Sequence, residues 1–170
     1  MSNEIVNKVA NSSLINVDLS DFAPKDNIIV FDIKEFLFKG LILKERDFRK
    51  ALKEFDFTKY KGSVICVTCS SDAIVPMWVY MLITSYLNPI SDRIYFGNKK
   101  EVYNYLFLKN IHQINSDDFT GKKVIVKGCG NVPLSEDLYI AITQKLQNSV
   151  RILMFGEACS AVPVYKNKNK

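Results

Sequence analysis

A chain of 170 residues, 48% hydrophobic and 24% charged, is long enough to bury one well-packed core and too short for two ordinary domains. Its net charge of +5 gathers at the end, where Lys166, Lys168 and Lys170 stand in VYKNKNK; without them the body carries only +2, and no nucleic-acid partner is expected. No run approaches the ~18 apolar residues of a membrane span, and MSNEIVNKVANSS lacks the basic start and apolar stretch of a secretory signal, so a cytoplasmic protein with no membrane partner is expected.

In chain order, residues 1–27 alternate polar and apolar residues loosely around Pro24 and read as a short helix, an extended segment and a loop without a motif. Ile28 to Phe31 is a β-branched run and predicts a strand. Glu45 to Glu54, followed by Phe55, carries Phe48, Leu52 and Phe55 at helical spacing. Val64 to Thr68 predicts a second strand, and the polar loop CSSDAIVP then leads to a helix entered through Pro76, a residue whose missing N–H costs nothing in a first helical turn.

The segment from Asp56 then repeats. DFTKYKGSVICVTC is matched by DFTGKKVIVKGC from Asp118, and YMLITSYLNPISDRIYFG (Tyr80 to Gly97) lies without a gap on YIAITQKLQNSVRILMFG (Tyr139 to Gly156). The repeat units span about 56–97 and 118–156, each a strand, a cysteine loop, a helix and a strand, with a further helix at Lys100 to Ile111 between them. Such alternation predicts a single α/β domain over residues 1–170, with a mainly parallel sheet, helices on both faces and a flexible basic tail at about 166–170.

The alignment separates the two cysteines of Cys66-x-x-Cys69. Cys69 falls opposite Cys129, whereas Cys66 falls opposite Val126 inside an apolar run, the setting of a small core hydrophobe. Residues three apart on a strand also point to opposite faces. Cys69, Cys129 and Cys159 each follow a predicted strand; in one parallel sheet all three thiols would reach the carboxyl edge, where open α/β sheets place ligands. Three thiolates suit zinc or an iron–sulfur cluster, with Asp72 the first choice for a fourth ligand ahead of Glu157.

The competing reading is that these thiols are inert, since free cysteine is among the most buried residue types and a repeat copies any feature. The small polar surroundings of Cys159 (GEACS) and Cys129 (KGCGN) argue against it. His112 lies far from the cysteine loops in sequence, and KGCGN matches neither the P-loop nor GxGxxG. GxSxG is absent and no histidine adjoins Ser70, Ser71 or Ser160, whose ordinary role is to cap helices and close turns. Trp78, Tyr80 and Tyr139 are expected to pack their helices against the sheet.

EIVNKVANSSLI, FDIKEFLFKGLILKERDFR, CSSDAIVPMWVYM, KGCGNVP and LMFGEACSAVPVYK together resemble a family of uncharacterised bacterial proteins, domain of unknown function 2480, over nearly the whole chain. The resemblance implies cysteines at the positions of Cys69, Cys129 and Cys159 but not of Cys66. It also implies a connection to iron–sulfur cluster assembly, with assembly proteins as partners. The expected function is a metal-thiolate accessory factor of iron–sulfur biogenesis. A metal-free interaction module using the same sheet edge stands as the alternative, and behind it a thiol redox enzyme in which Lys127 or the following helix start lowers the pKa of Cys129. Enzymatic activity and homodimerisation are left open.

Overall fold

The β-branched runs do form strands. In the computed structural model, which describes residues 14–128 and 132–168, the strands are β1 (Leu14–Asp18), β2 (Ile28–Asp32), β3 (Val64–Thr68), β4 (Ile94–Phe96), β5 (Lys123–Lys127), β6 (Ile152–Phe155) and β7 (Val162–Lys166). The helices are α1 (Glu45–Glu54), α2 (Met77–Leu87), α3 (Lys99–His112) and α4 (Glu136–Leu146). The helix expected before Leu14, Cys129 with its loop neighbours Gly130 and Asn131, and the last two residues of the basic tail lie outside the described residues.

The strands form two sheets, where the alternation of strand and helix had suggested one. Strand order is β1-β5-β6-β7 in the first and β2-β3-β4 in the second, and every pair is parallel except β6 with β7. The reason for the difference is topological. A strand–helix alternation looks the same along the chain whether each new strand joins the last sheet or starts another.

By its internal contacts the chain divides into two units. Lys25–Tyr105 is an inserted unit, and Met1–Pro24 with Leu106–Lys170 is a discontinuous one; the division falls within α3.

In the inserted unit, Ile65 and Val67 of β3 share one face with Phe31 of β2, and that face packs against Phe48 and Leu52 of α1 and Val79 and Ile83 of α2. Phe48 and Leu52 of the stripe are thus the buried face of α1, while Phe55 is its C-cap residue and only partly buried. Aromatic rings extend this core: Phe31 stacks on Phe36 at 5.2 Å and on Phe57 at 6.2 Å. Each such fully buried apolar side chain contributes ~1.5–3 kcal/mol. On the opposite face Tyr95, in register with Cys66, meets Tyr105 of α3 at 5.1 Å, so helices cover both faces of this sheet.

In the discontinuous unit Val124, Ile125 and Val126 of β5 are buried, as are Leu138, Ile142 and Leu146 of α4 at helical spacing. Strand β7 is a finding beyond the sequence reading. It is antiparallel to β6, reaches Lys166, and is extended by the N–H of Asn167 donating to Arg151 O at 2.9 Å, so the tail is engaged at its start.

The two stretches that align in sequence adopt the same local geometry. The Thr84 hydroxyl donates to Tyr80 O at 2.8 Å and that of Thr143 to Tyr139 O at 2.7 Å. The N–H of Gly97 donates to Val67 O and that of Gly156 to Val126 O, both at 3.0 Å. Tyr80 meets Phe96 edge-on at 5.6 Å, and Tyr139 meets Phe155 at 5.7 Å. Trp78 differs from expectation: its ring rests against α1, with Phe48 at 6.2 Å and the Arg49 guanidinium 5.2 Å away.

Candidate functional site

The carboxyl end of a parallel strand leaves backbone groups to be satisfied by the loop that follows, and in the inserted unit an aspartate does this work. Asp32 ends β2 opposite Thr68 in β3. Its carboxylate caps the 3-10 turn Ile33–Phe36 through the N–H of Lys34 at 3.0 Å and also accepts the N–H of Ser70 at 3.0 Å. The loop bearing Cys69 is therefore tied to β2. Burial raises the Asp32 pKa, but the hydrogen bonds from Ser70 and Lys34 outweigh it and hold the carboxyl below its ordinary value.

Cys69 is half-buried at the edge of the core, its sulfur 3.3 Å from the Ser71 hydroxyl and 3.7 Å from Ser71 O. Tyr80 faces it: burial first, and then the neighbouring Cys69, push the phenol's pKa up. Asp72 is exposed and lines a cleft with Leu41, Ile42, Ile74 and Pro76. Cys66 has no exposed surface; its thiol donates to Ile29 O at 3.5 Å, and burial pushes its pKa up. The alternation expected of the strand is observed. Cys69 packs with the Ile65 and Val67 face, and Cys66 lies on the other.

The discontinuous unit repeats the aspartate. Asp18 ends β1 opposite Lys127 in β5 and caps the 3-10 turn Leu19–Phe22, accepting the N–H of Ser20 at 3.0 Å and its hydroxyl at 2.7 Å. The hydroxyl bond of Ser20 chiefly holds its pKa down against burial, and the Lys127 ammonium 3.5 Å away adds to this. Lys127, expected to lower the pKa of Cys129, is thus engaged in an ion pair with Asp18. Sequence reasoning passed over both aspartates. The signal was present in VDLSDF (17–22) and FDIKEF (31–36), where an aspartate, an apolar residue buried in both copies and a phenylalanine recur at one spacing.

Strands β5 and β6 are parallel neighbours, with Val126 opposite Phe155. Cys129 follows β5 by two positions in the sequence and lies outside the described residues. Cys159 follows β6 by four; it is exposed, beside a turn closed by the Ser160 N–H donating to Glu157 O at 2.9 Å. An apolar cavity of about 420 Å³ opens nearby, lined by Val126, Tyr139, Leu153, Phe155 and Val164. Gly128 passes so close to Tyr139 that a Cβ there would overlap its hydroxyl.

Among the described residues, no group of three or more His, Cys, Asp or Glu side chains is placed to hold a metal. Cys69 follows β3 of one sheet and Cys159 follows β6 of the other, so the three thiols expected at one sheet edge do not all leave a single sheet. His112 stands at the end of α3, its Nδ1 2.6 Å from Leu108 O. No helix among the described residues is long and apolar enough to cross a membrane.

A family model described as a protein of unknown function, DUF2480, matches residues 3–167. The chain belongs to this family. No curated protein and no solved structure matches it. Membership in DUF2480 accounts for the likeness along the whole chain and assigns no activity.

Proposed function

We propose that this member of DUF2480 is a cytoplasmic metal-thiolate protein that handles zinc or an iron–sulfur cluster for iron–sulfur assembly proteins. The observation that carries the reading is the parallel pairing of β5 with β6, because the loops holding Cys129 and Cys159 leave adjacent strands at one sheet edge. Two thiolates suit a thiophilic metal, and two ligands leave coordination positions for a partner's groups, which favours transfer over a closed structural site. Cys69 and Asp72 belong to the inserted unit, and their part in the ligand set is a separate question that substitution answers.

The test is metal content and absorbance of protein purified without oxygen, wild type beside Cys129→Ser, Cys159→Ser, Cys69→Ser, Asp72→Asn and Cys66→Val. Metal is expected in the wild type and in Cys66→Val, and lost in Cys129→Ser and Cys159→Ser. A wild type with neither zinc nor iron, and no uptake on anaerobic reconstitution, sinks the proposal.

A metal-free docking role at the strand ends is the second reading. It is favoured by Phe155, a large apolar side chain exposed at the end of β6.

A further inference from the structure

The basic stretch VYKNKNK, separate from the body in the sequence, is joined to the sheet at its start. Lys166 of β7 stands in register with Ile152 of β6, and Ile152 with Lys123 of β5. Side chains at one register position point to the same face of a sheet, so Lys123 and Lys166 share a face, roughly 10 Å apart across two strand spacings. A second row lies one residue further out. The N–H of Arg151 donates to Lys122 O at 2.8 Å and that of Asn167 to Arg151 O at 2.9 Å, and Lys168 follows directly. Five cations, Lys122, Lys123, Arg151, Lys166 and Lys168, are thereby gathered at one rim, the end at which β5 and β6 begin.

The charges are available. Lys122, Arg151, Lys166 and Lys168 are exposed and Lys123 is half-buried. None of the five forms an ion pair among the described residues, where the pairs are Arg49 with Glu45, Arg93 with Asp26 and Lys127 with Asp18. The acidic groups nearest in sequence are Asp117 and Asp118 in the turn before β5, and Asp118 accepts a hydrogen bond from Asn115 Nδ2 at 3.2 Å. Like charges brought this close repel in the free protein, and an anion among them offsets the repulsion.

We propose that this rim binds the phosphate backbone of a nucleic-acid duplex without reading its sequence. The make-up of the rim selects this anion. Four of the five cations are lysines, point charges that suit phosphate and are depleted from protein–protein interfaces, where buried aromatic anchors supply the energy. A bilayer held by charge needs an apolar group or an acyl chain at the same place. The exposed apolar side chains of these strands lie further along them, Phe155 opposite Val162 at the far end of β6 and Val164 on the cavity beside α4. Base stacking, the mark of single-strand binding, needs aromatic rings, and the two rows hold Ile152 and Asn167 between the cations. The inference is independent of any metal at the cysteines, whose loops follow the opposite ends of β5 and β6.

The test is fluorescence anisotropy of a labelled DNA duplex of about 20 base pairs, titrated with the full chain over a series of salt concentrations, each phosphate contact adding about −0.9 to the slope of log affinity against log salt. The wild type should bind two unrelated duplexes equally, with a slope of about −3 to −4. Lys122→Glu with Arg151→Glu should weaken binding about tenfold or more and flatten the slope by about 2. Lys166→Gln with Lys168→Gln, a milder change at exposed positions, should act in the same direction. Lys50→Glu with Lys53→Glu on α1 changes the net charge as much as the first pair and should leave affinity within about twofold. Circular dichroism and thermal midpoint verify the fold of each variant. No binding at low salt, a clear preference for one duplex, or equal weakening by the α1 variant overturns the proposal. So does tighter binding to phosphatidylserine vesicles or to polyglutamate than to the duplex, lost in the Lys122→Glu, Arg151→Glu variant, because the rim then serves a membrane or a protein.

Discussion

The Asp32 carboxylate accepts the backbone N–H of Ser70 at 3.0 Å, bridging 38 positions of the chain and fixing the residue next to Cys69. It also caps its own turn through Lys34. Removing it with Asp32→Ala takes both bonds away, and a loss of about 1–2 kcal/mol is expected in urea unfolding at neutral pH. The pH dependence follows from the lowered pKa. An aspartate depressed in the folded state contributes its stability above the unfolded value of 3.8 and loses it as pH falls through the lower folded value. Asp32→Asn should therefore flatten part of the acid limb of the stability curve, and an acid limb identical to wild type would count against the bond.

The thiols should differ in reactivity by position. Cys66 is fully buried with its pKa pushed up, so it offers neither access nor thiolate, whereas Cys159 is exposed. With an aromatic disulfide reagent under native conditions, Cys159 should be labelled within the mixing phase and Cys66 only on unfolding. Mass spectrometry of digested samples separates the sites. Labelling of Cys66 at the rate of Cys159 would contradict its place in β3.

Much of this was legible in the chain, and the exceptions have physical reasons. Val64 to Thr68 was legible as a buried strand, because a five-residue apolar run rich in β-branched residues and bounded by polar loops is too short for a helix. Cys66 was legible for the same reason, its neighbours being apolar on both sides. The partition into two sheets was not, because hydrophobic period reports which face is buried and not which strand lies beside it. Asp32 was hidden because its second partner, Ser70, is supplied by tertiary folding. Strand β7 escaped because Pro163 sits inside it and Val162 and Val164 are exposed, the pattern of an edge strand that periodicity does not mark.

Gly62 and Gly121 precede β3 and β5, both at φ 71° and both with no atom within 4 Å of a would-be Cβ. Alanine at either position meets no clash, so its cost is the backbone alone, about 1 kcal/mol. The expected outcome is two destabilised variants of similar size by thermal unfolding. A marked loss from Gly62→Ala beside a neutral Gly121→Ala would show that the aligned stretches do not share their turn.

Gly128 presents the opposite case, a glycine required by space. A Cβ there would overlap the Tyr139 hydroxyl and lie 2.6 Å from Cδ1 of Leu134. The strand end and the first turns of α4 thus meet where no side chain fits, directly before Cys129. Gly128→Ala should force the helix or the loop outward at a cost of about 1–3 kcal/mol, the range of overpacked sites. Because the nearest obstacle is one oxygen atom, Tyr139→Phe should recover part of the loss, while Leu134 keeps the recovery incomplete. A double-mutant cycle read by urea unfolding measures the coupling, expected at 0.5 kcal/mol or more for groups in contact, roughly the lower limit for neighbouring sites. If the two substitutions add independently, Tyr139 does not set the position of the cysteine loop. If they couple, and the proposed metal is present, Gly128→Ala should also weaken metal retention while Tyr139→Phe restores it in part, since the thiol after Gly128 moves with the backbone.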